Sequence, residues 1–165
     1  MDTADRSDIP LLDQVKMQAQ VLVPVLSALR AELGAAPANA LVTNALREWS
    51  RRLALDIAAR KPGTPVERWR SIVFDMLPRL ADAVDVQMLR QEAGAVEFNV
   101  TGCRFADFFR QLGEPELGAV LTCESDLHVV AAAGGEVELT RTQTIMGGAS
   151  HCNFRYRIRT PPSTT

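Results

Sequence analysis

Leu12, Val15, Ala19, Leu22, Leu26, Leu29 and Leu33 recur at alternating spacings of three and four. That rhythm lays one apolar stripe along a helix. Pro10 suits a first helical turn, and Gly34 supplies a stop. Pro24 removes one backbone hydrogen bond and predicts a kink. A second stripe follows at Val42, Ala45, Leu46, Trp49, Leu53 and Ile57, and Lys61-Pro62-Gly63 ends it. The third helix starts at Thr64-Pro65-Val66-Glu67, a capping box with proline in the first turn. Its apolar positions run from Val66 and Trp69 through Ile72, Val73, Met76 and Leu77 to Leu80.

From residue 84 the period shortens. Residues 85–90 and 95–100 predict strands joined at Ala93-Gly94. Residues 105–112 predict a short helix ending at Gly113, and 115–123 a second one closed by Cys123. Residues 136–145 and 152–159 alternate at period two around Gly147-Gly148-Ala149-Ser150, which predicts another hairpin. Arg155, Arg157 and Arg159 then form the exposed face of the last strand, the charged guard of a sheet edge.

Helices first, then antiparallel strands, predict an α+β fold. N-terminal helices pack on a C-terminal antiparallel sheet of about four strands with short inserted helices. A chain of 165 residues suits one domain over 1–165. Residues 1–83 form its helical half, 84–159 the sheet-rich half with the chemistry, and 160–165 a frayed tail. The first stripe fits either the chain's own core or a homodimer seam.

Composition narrows the partners. Eighteen basic and twenty acidic residues leave a net charge of −2, so nothing draws the chain to nucleic acid or an anionic membrane. No apolar run approaches a membrane span. A polar, acidic start without a secretory signal and an odd count of three cysteines predict a cytoplasmic protein with reduced thiols.

Chemistry concentrates in the last third, where Cys103, Cys123 and Cys152 and both histidines lie. No CxxC pair exists, but all three cysteines fall at element boundaries and could converge on one pocket. A buried cysteine is usually a small hydrophobe. Cys103 opens a helix, where backbone amides favour thiolate. On a helix Cys123 and Asp126 share a face, as do Glu124 and His128, the latter pair reading as a solvated helix end. His151 and Cys152 are neighbours, and neighbours on a strand point to opposite faces. Asn99 and Asn153 adjoin the same expected pocket. Two readings stay open: an enzyme using these thiols on a small-molecule substrate, or a non-catalytic small-molecule or metal-binding module using the same pocket.

The runs Asn99-Val100-Thr101-Gly102-Cys103, Phe109 to Leu117, Cys123-Glu124-Ser125-Asp126, Arg141 to Ile145, Gly147-Gly148 and His151 to Phe154 resemble the L-2-amino-thiazoline-4-carboxylic acid hydrolase family. The likeness spans roughly residues 84–158. It implies a hydrolase opening a C–N or C–S bond of a small heterocyclic amino-acid-derived substrate, in a biosynthetic setting. The thiazoline acid would open to N-carbamoyl-cysteine. Cys123 or Cys152 would be the nucleophile, Asp126 and His151 would move protons, and Cys103, Asn99 and Asn153 would contact substrate. The chain then needs either no cofactor or a single zinc-like ion held by Cys103, Cys123 and Cys152. Many family members carry aspartate where this chain has Asn153.

Overall fold

The computed structural model describes residues 9–80 and 82–159. The frayed-tail expectation for 160–165 therefore lies outside the described residues. Helix α1 runs Leu11–Leu33 and contains Pro24 without interruption. Gly34, at φ 86°, is the single residue between α1 and α2 (Ala35–Ala59), and only a glycine takes that angle without strain. Helix α3 spans Pro65–Leu80. Its capping box closes as the sequence requires: the Thr64 amide donates to Glu67 Oε2 at 2.7 Å.

The stripe along α1 faces the molecule over most of its length, while Leu33 at its end stays exposed. Val15, Ala19 and Leu26 are buried in the main core. The stripe on α2 fares differently. Its Trp49, Leu53 and Ile57 remain exposed, and the buried residues of the helix are Ala38, Ala54 and Ala58, none of them in the stripe.

Strands β1 (Val84–Glu92) and β2 (Ala95–Cys103) form the expected hairpin. Helix α4 (Arg104–Gln111) and the short α5 (Pro115–Gly118) follow. A π-helical turn, Ala119–Cys123, then leads into α6 (Ser125–Ala131). Cys123 thus does not close a helix; it sits at a widened turn within a longer helical run. Strands β3 (Val137–Thr140) and β4 (Cys152–Ile158) complete an antiparallel sheet of order β1-β2-β4-β3.

Two strand expectations are corrected. The strand expected to reach residue 145 ends at Thr140. Beyond it, the amides of Thr142 and Gln143 donate to the Asn153 side chain instead of to a strand partner. Strand β4 is central rather than an edge, so its arginines guard nothing. Arg155 and Arg157 instead gather round Glu97 on the outer sheet face, with Arg157 at 2.7 Å.

The inner sheet face carries Val100, Cys152, Phe154 and Tyr156, all buried under the helices. Phe98 and Phe154 stack across the β2–β4 register at 4.8 Å. Gly118 lets α5 press against fully buried Phe109; a Cβ there would sit 2.5 Å from that ring. No helix among the described residues is long and apolar enough to cross a membrane.

Ion pairs from α1 and α2 tie the halves together, Arg30 with Glu114 and Arg47 with Glu124. Glu114 is 8% exposed, and Arg30 from α1 grips its carboxylate, with Nη2 donating to Oε2 at 2.8 Å. Replacing Arg30 with methionine is expected to cost about 3 kcal/mol, because the buried carboxylate loses the cation that grips it. Urea unfolding should show the loss, and the double variant with Glu114→Leu should recover most of it.

Candidate active site

The helical run from Pro115 to Ala131 positions the first half of the site. Its π-turn is defined by the Glu124 amide donating to the Ala119 carbonyl at 2.9 Å, five residues back. Such turns inside helices occur often at functional sites. One consequence is local and concrete. The Leu127 amide, which a regular helix would direct to Cys123, donates to Glu124 instead at 3.1 Å. The Cys123 carbonyl is left for another donor, and Arg141 Nη2 fills it at 2.7 Å.

Arg141 is the organiser that sequence reasoning passed over. Its side chain is 7% exposed, and Nη1 donates to Asp126 Oδ2 at 2.7 Å. The guanidinium also lies 5.0 Å from the centre of the Phe154 ring, a cation–π contact. The chain segment that delivers Arg141 is fixed by Asn153. Its Oδ1 accepts from the amides of Thr142 and Gln143, both at 3.0 Å, and its Nδ2 donates to Thr142 Oγ1 at 2.8 Å. The two amides require only an oxygen acceptor, so an aspartate in this place could serve them equally.

Burial sets the protonation states. It raises Asp126 to about 6, against the opposing pull of the Arg141 cation and its hydrogen bond. Asp126 Oδ1 remains without a donor among the described residues, and the side chain keeps 24% of its surface open. Burial also pushes the Cys123 thiol up to about 11, opposed by the Thr122 hydroxyl and Arg141. Cys103 and Cys152 rise for the same reason, opposed by the amides of Ala106 and Phe105 and by that of Ile145. Cys152 is buried, and its Sγ accepts from the Ile145 amide at 3.2 Å. Cys103 and Cys123 are half-buried and so reachable.

Structure and sequence can now be matched residue by residue. Cys152 lies in the main core and Cys103 and Cys123 pack against it, while Asp126 is tied to the Cys123 carbonyl through Arg141. Asn99 and Asn153 do not join them. They pair across β2 and β4 on the outer face, where Asn99 accepts from Arg155 at 3.0 Å. His151 precedes β4 and meets Gln143 and Ser150, neither of which belongs to the cysteine cluster. Strand alternation explains all three: with Cys152 inward, its neighbours turn outward. Among the described residues no three His, Cys, Asp or Glu side chains are placed to hold a metal ion. The three cysteines therefore do not fit the expected zinc-like ligand set, and their raised thiols disfavour the thiolate form such ligation needs. Two shallow hollows of about 310 and 360 Å³ flank the cluster, and no cysteine lines either one.

The family model described as L-2-amino-thiazoline-4-carboxylic acid hydrolase matches residues 14–156. No curated protein matches the chain. Among solved structures, the phenol-responsive sensory domain of the transcription activator PoxR with phenol is 18% identical. That match covers 83% of this chain and 72% of the other at a TM-score of 0.43. A trafficking protein particle complex subunit 3 from Naegleria fowleri, covalently bound to palmitic acid, is 10% identical. It covers 88% of this chain and 97% of the other at a TM-score of 0.40. Likenesses this distant carry no argument about the present chain.

Proposed function

The chain belongs to the L-2-amino-thiazoline-4-carboxylic acid hydrolase family, and from that premise we propose that it hydrolyses a small cyclic isothiourea acid of the 2-amino-thiazoline-4-carboxylate type at Cys123, Asp126 and Arg141. One observation carries the reading. A carboxyl group raised to about 6 stands three residues after a half-buried cysteine, and one buried arginine bonds the carboxylate of the first and the backbone carbonyl of the second. A carboxyl tuned toward neutrality can both take and return a proton.

The chemistry balances with water as the only co-reactant. Asp126 takes the Cys123 proton as Sγ attacks the ring carbon between nitrogen and sulfur. The new C–S bond forms, the amidine electron pair moves onto nitrogen, and collapse breaks the ring C–S bond. Asp126 returns the proton to the departing sulfur, leaving an isothiourea linked to Cys123. Water then adds, the Cys123 thiol leaves, and N-carbamoyl-cysteine is released. Arg141 steadies the thiolate while it exists. Denaturing mass spectrometry during turnover is expected to find the Cys123 peptide heavier by one whole substrate.

A second reading rests on the raised Cys123 thiol, which is protonated at neutral pH. There Asp126 deprotonates water, which attacks the ring carbon directly. Turnover without an adduct, together with retained activity in Cys123→Ser, would select that route. A wild-type protein that binds the thiazoline acid and never opens it would leave only the binding-module reading.

A further inference from the structure

The segment between β3 and β4 walls the hollow of about 360 Å³ with Arg141, Thr142, Gln143, Thr144, Gly147 and Ala149. It shares Arg141 with the site already described, where the same guanidinium bonds Asp126 and the Cys123 carbonyl. A guanidinium carries five N–H donors, so those two bonds leave others to give. The wall is held in place from behind. Asn153 Oδ1 fixes the Thr142 and Gln143 amides, Cys152 Sγ holds the Ile145 amide, and Arg110 donates to the Ile145 carbonyl. A site built before its ligand arrives loses less on binding.

Both threonine hydroxyls of the wall are already used as acceptors. Thr142 Oγ1 accepts from Asn153 Nδ2 at 2.8 Å, and Thr144 Oγ1 from the Gly147 amide at 3.0 Å. Neither donates to an acceptor among the described residues, so each keeps its proton to give. Thr43, Thr101 and Thr122, by contrast, spend theirs on backbone carbonyls. Gly147 keeps Thr144 open. Its backbone avoids the left-handed region that Gly148 adopts at φ 99°, so the chain path does not demand glycine there. A Cβ on Gly147 would stand 3.1 Å from Thr144 Oγ1 and crowd the hydroxyl. Local charge agrees. From Leu139 to Thr165 the chain has four arginines and no aspartate or glutamate, although the whole protein carries −2.

We propose that this hollow binds the carboxylate of a small organic acid, held by the Thr142 and Thr144 hydroxyls and the remaining N–H bonds of Arg141. An ionised carboxylate only accepts, and these groups have donors left to give. It also brings a single negative charge to a single arginine. A phosphate dianion would need a second cation, and Arg110 is committed to the Ile145 carbonyl. The site goes beyond the hydrolase reading and does not rest on it. Two kinds of molecule carry the required group: the thiazoline acid itself, or a separate small acid that sits beside it.

The test uses the full chain with Thr142→Val, Thr144→Val, Thr144→Ser and Gly147→Val. Thr142 is exposed and Thr144 half-buried, so valine in either place should leave the fold intact. The probes are propionate, 2-amino-thiazoline-4-carboxylate and the neutral carboxamide of the latter, with binding read by calorimetry. Wild type should bind both acids, and the carboxamide about 10–100-fold more weakly than its acid. Each threonine-to-valine change should weaken both acids about tenfold or more and move the carboxamide less. Thr144→Ser should bind as wild type does, and Gly147→Val should weaken the acids as Thr144→Val does. Competition in the wild type identifies the occupant. Propionate that displaces the thiazoline acid assigns the hollow to the substrate's own carboxylate; both bound at once assigns it to a separate acid. Binding without any ring opening would sink the hydrolase reading and keep the site. Several results would overturn the site itself: neither acid bound, acid and carboxamide bound alike, valine variants as tight as wild type, or inorganic phosphate bound more tightly than propionate.

Discussion

Asp126→Asn is expected to lower kcat/KM for thiazoline-acid opening by about 10²–10⁴-fold, the usual worth of a positioned general base. The amide keeps an oxygen for Arg141 but cannot take a proton from Cys123 or from water. The pH profile sharpens the claim. Asp126 must be ionised to act as a base, and its carboxyl is raised to about 6. Wild-type kcat/KM should therefore fall about tenfold per unit below that value, whereas the residual rate of Asp126→Asn should lack this limb. Stability should move the other way. The folded protein holds the Asp126 proton more tightly than the unfolded chain does, whose carboxyl titrates near 3.8. This contribution is complete below about pH 4 and is lost as pH rises through about 6. Measured against Asp126→Asn, which cancels every other titrating group, the wild type should lose stability across that window and then level off. A flat difference together with an unchanged rate would remove Asp126 from the mechanism.

Much of the architecture was readable because local signals and tertiary structure agree. The capping box at Thr64, the hairpin at Ala93-Gly94 and the stripe on α1 each depend on neighbours within a few residues. The failures share the opposite property. Strand order is non-local, so nothing near Arg155 could reveal that β3 would pair outside β4. The end of β3 is set by a side chain arriving from Asn153, with no breaker residue to announce it. The π-turn has no period of its own and looks like ordinary helix in sequence.

The site divides along the same line. Cys103, Cys123, Cys152 and Asp126 drew notice by residue type; the three cysteines belong to or pack against the main core, and Arg141 links Asp126 to the Cys123 carbonyl. Asn99, Asn153 and His151 were grouped with them by adjacency in sequence, although alternation about an inward Cys152 places them across the sheet. Arg141 was overlooked because it read as one residue of a strand expected to run to 145, and it lies 15 residues from the carboxylate it binds. One hint existed. It stands among uncharged residues, Thr140, Thr142, Gln143 and Thr144, where a solvated surface would carry more charge. Glu124 and His128 were read together as a solvated helix end, but they part company. Glu124 pairs with Arg47 at 2.8 Å, whereas His128 Nε2 is buried.

Arg141→Met should then be the most disruptive single change to the fold of the site. Methionine matches the alkyl stem but abandons three contacts: the ion pair to Asp126, the hydrogen bond to the Cys123 carbonyl and the cation–π contact with Phe154. Removing one partner of a buried pair typically costs 3–5 kcal/mol. Asp126 limits the damage, because a stranded carboxyl takes up a proton rather than stay charged. The expected loss is therefore about 3 kcal/mol, or roughly 10 °C in Tm for a domain of this size. The escape has a kinetic signature. Without its cation Asp126 should titrate above 6, so the acid limb of kcat/KM should shift to higher pH in any activity that remains. Arg141→Lys should rescue little, since one ammonium cannot reach both the carboxylate and the carbonyl with a planar fork. Adding Asp126→Leu to Arg141→Met should restore most of the stability and none of the activity. That opposition between folding and turnover is what a buried charge pair kept for chemistry predicts, and a double variant as unstable as Arg141→Met would contradict it.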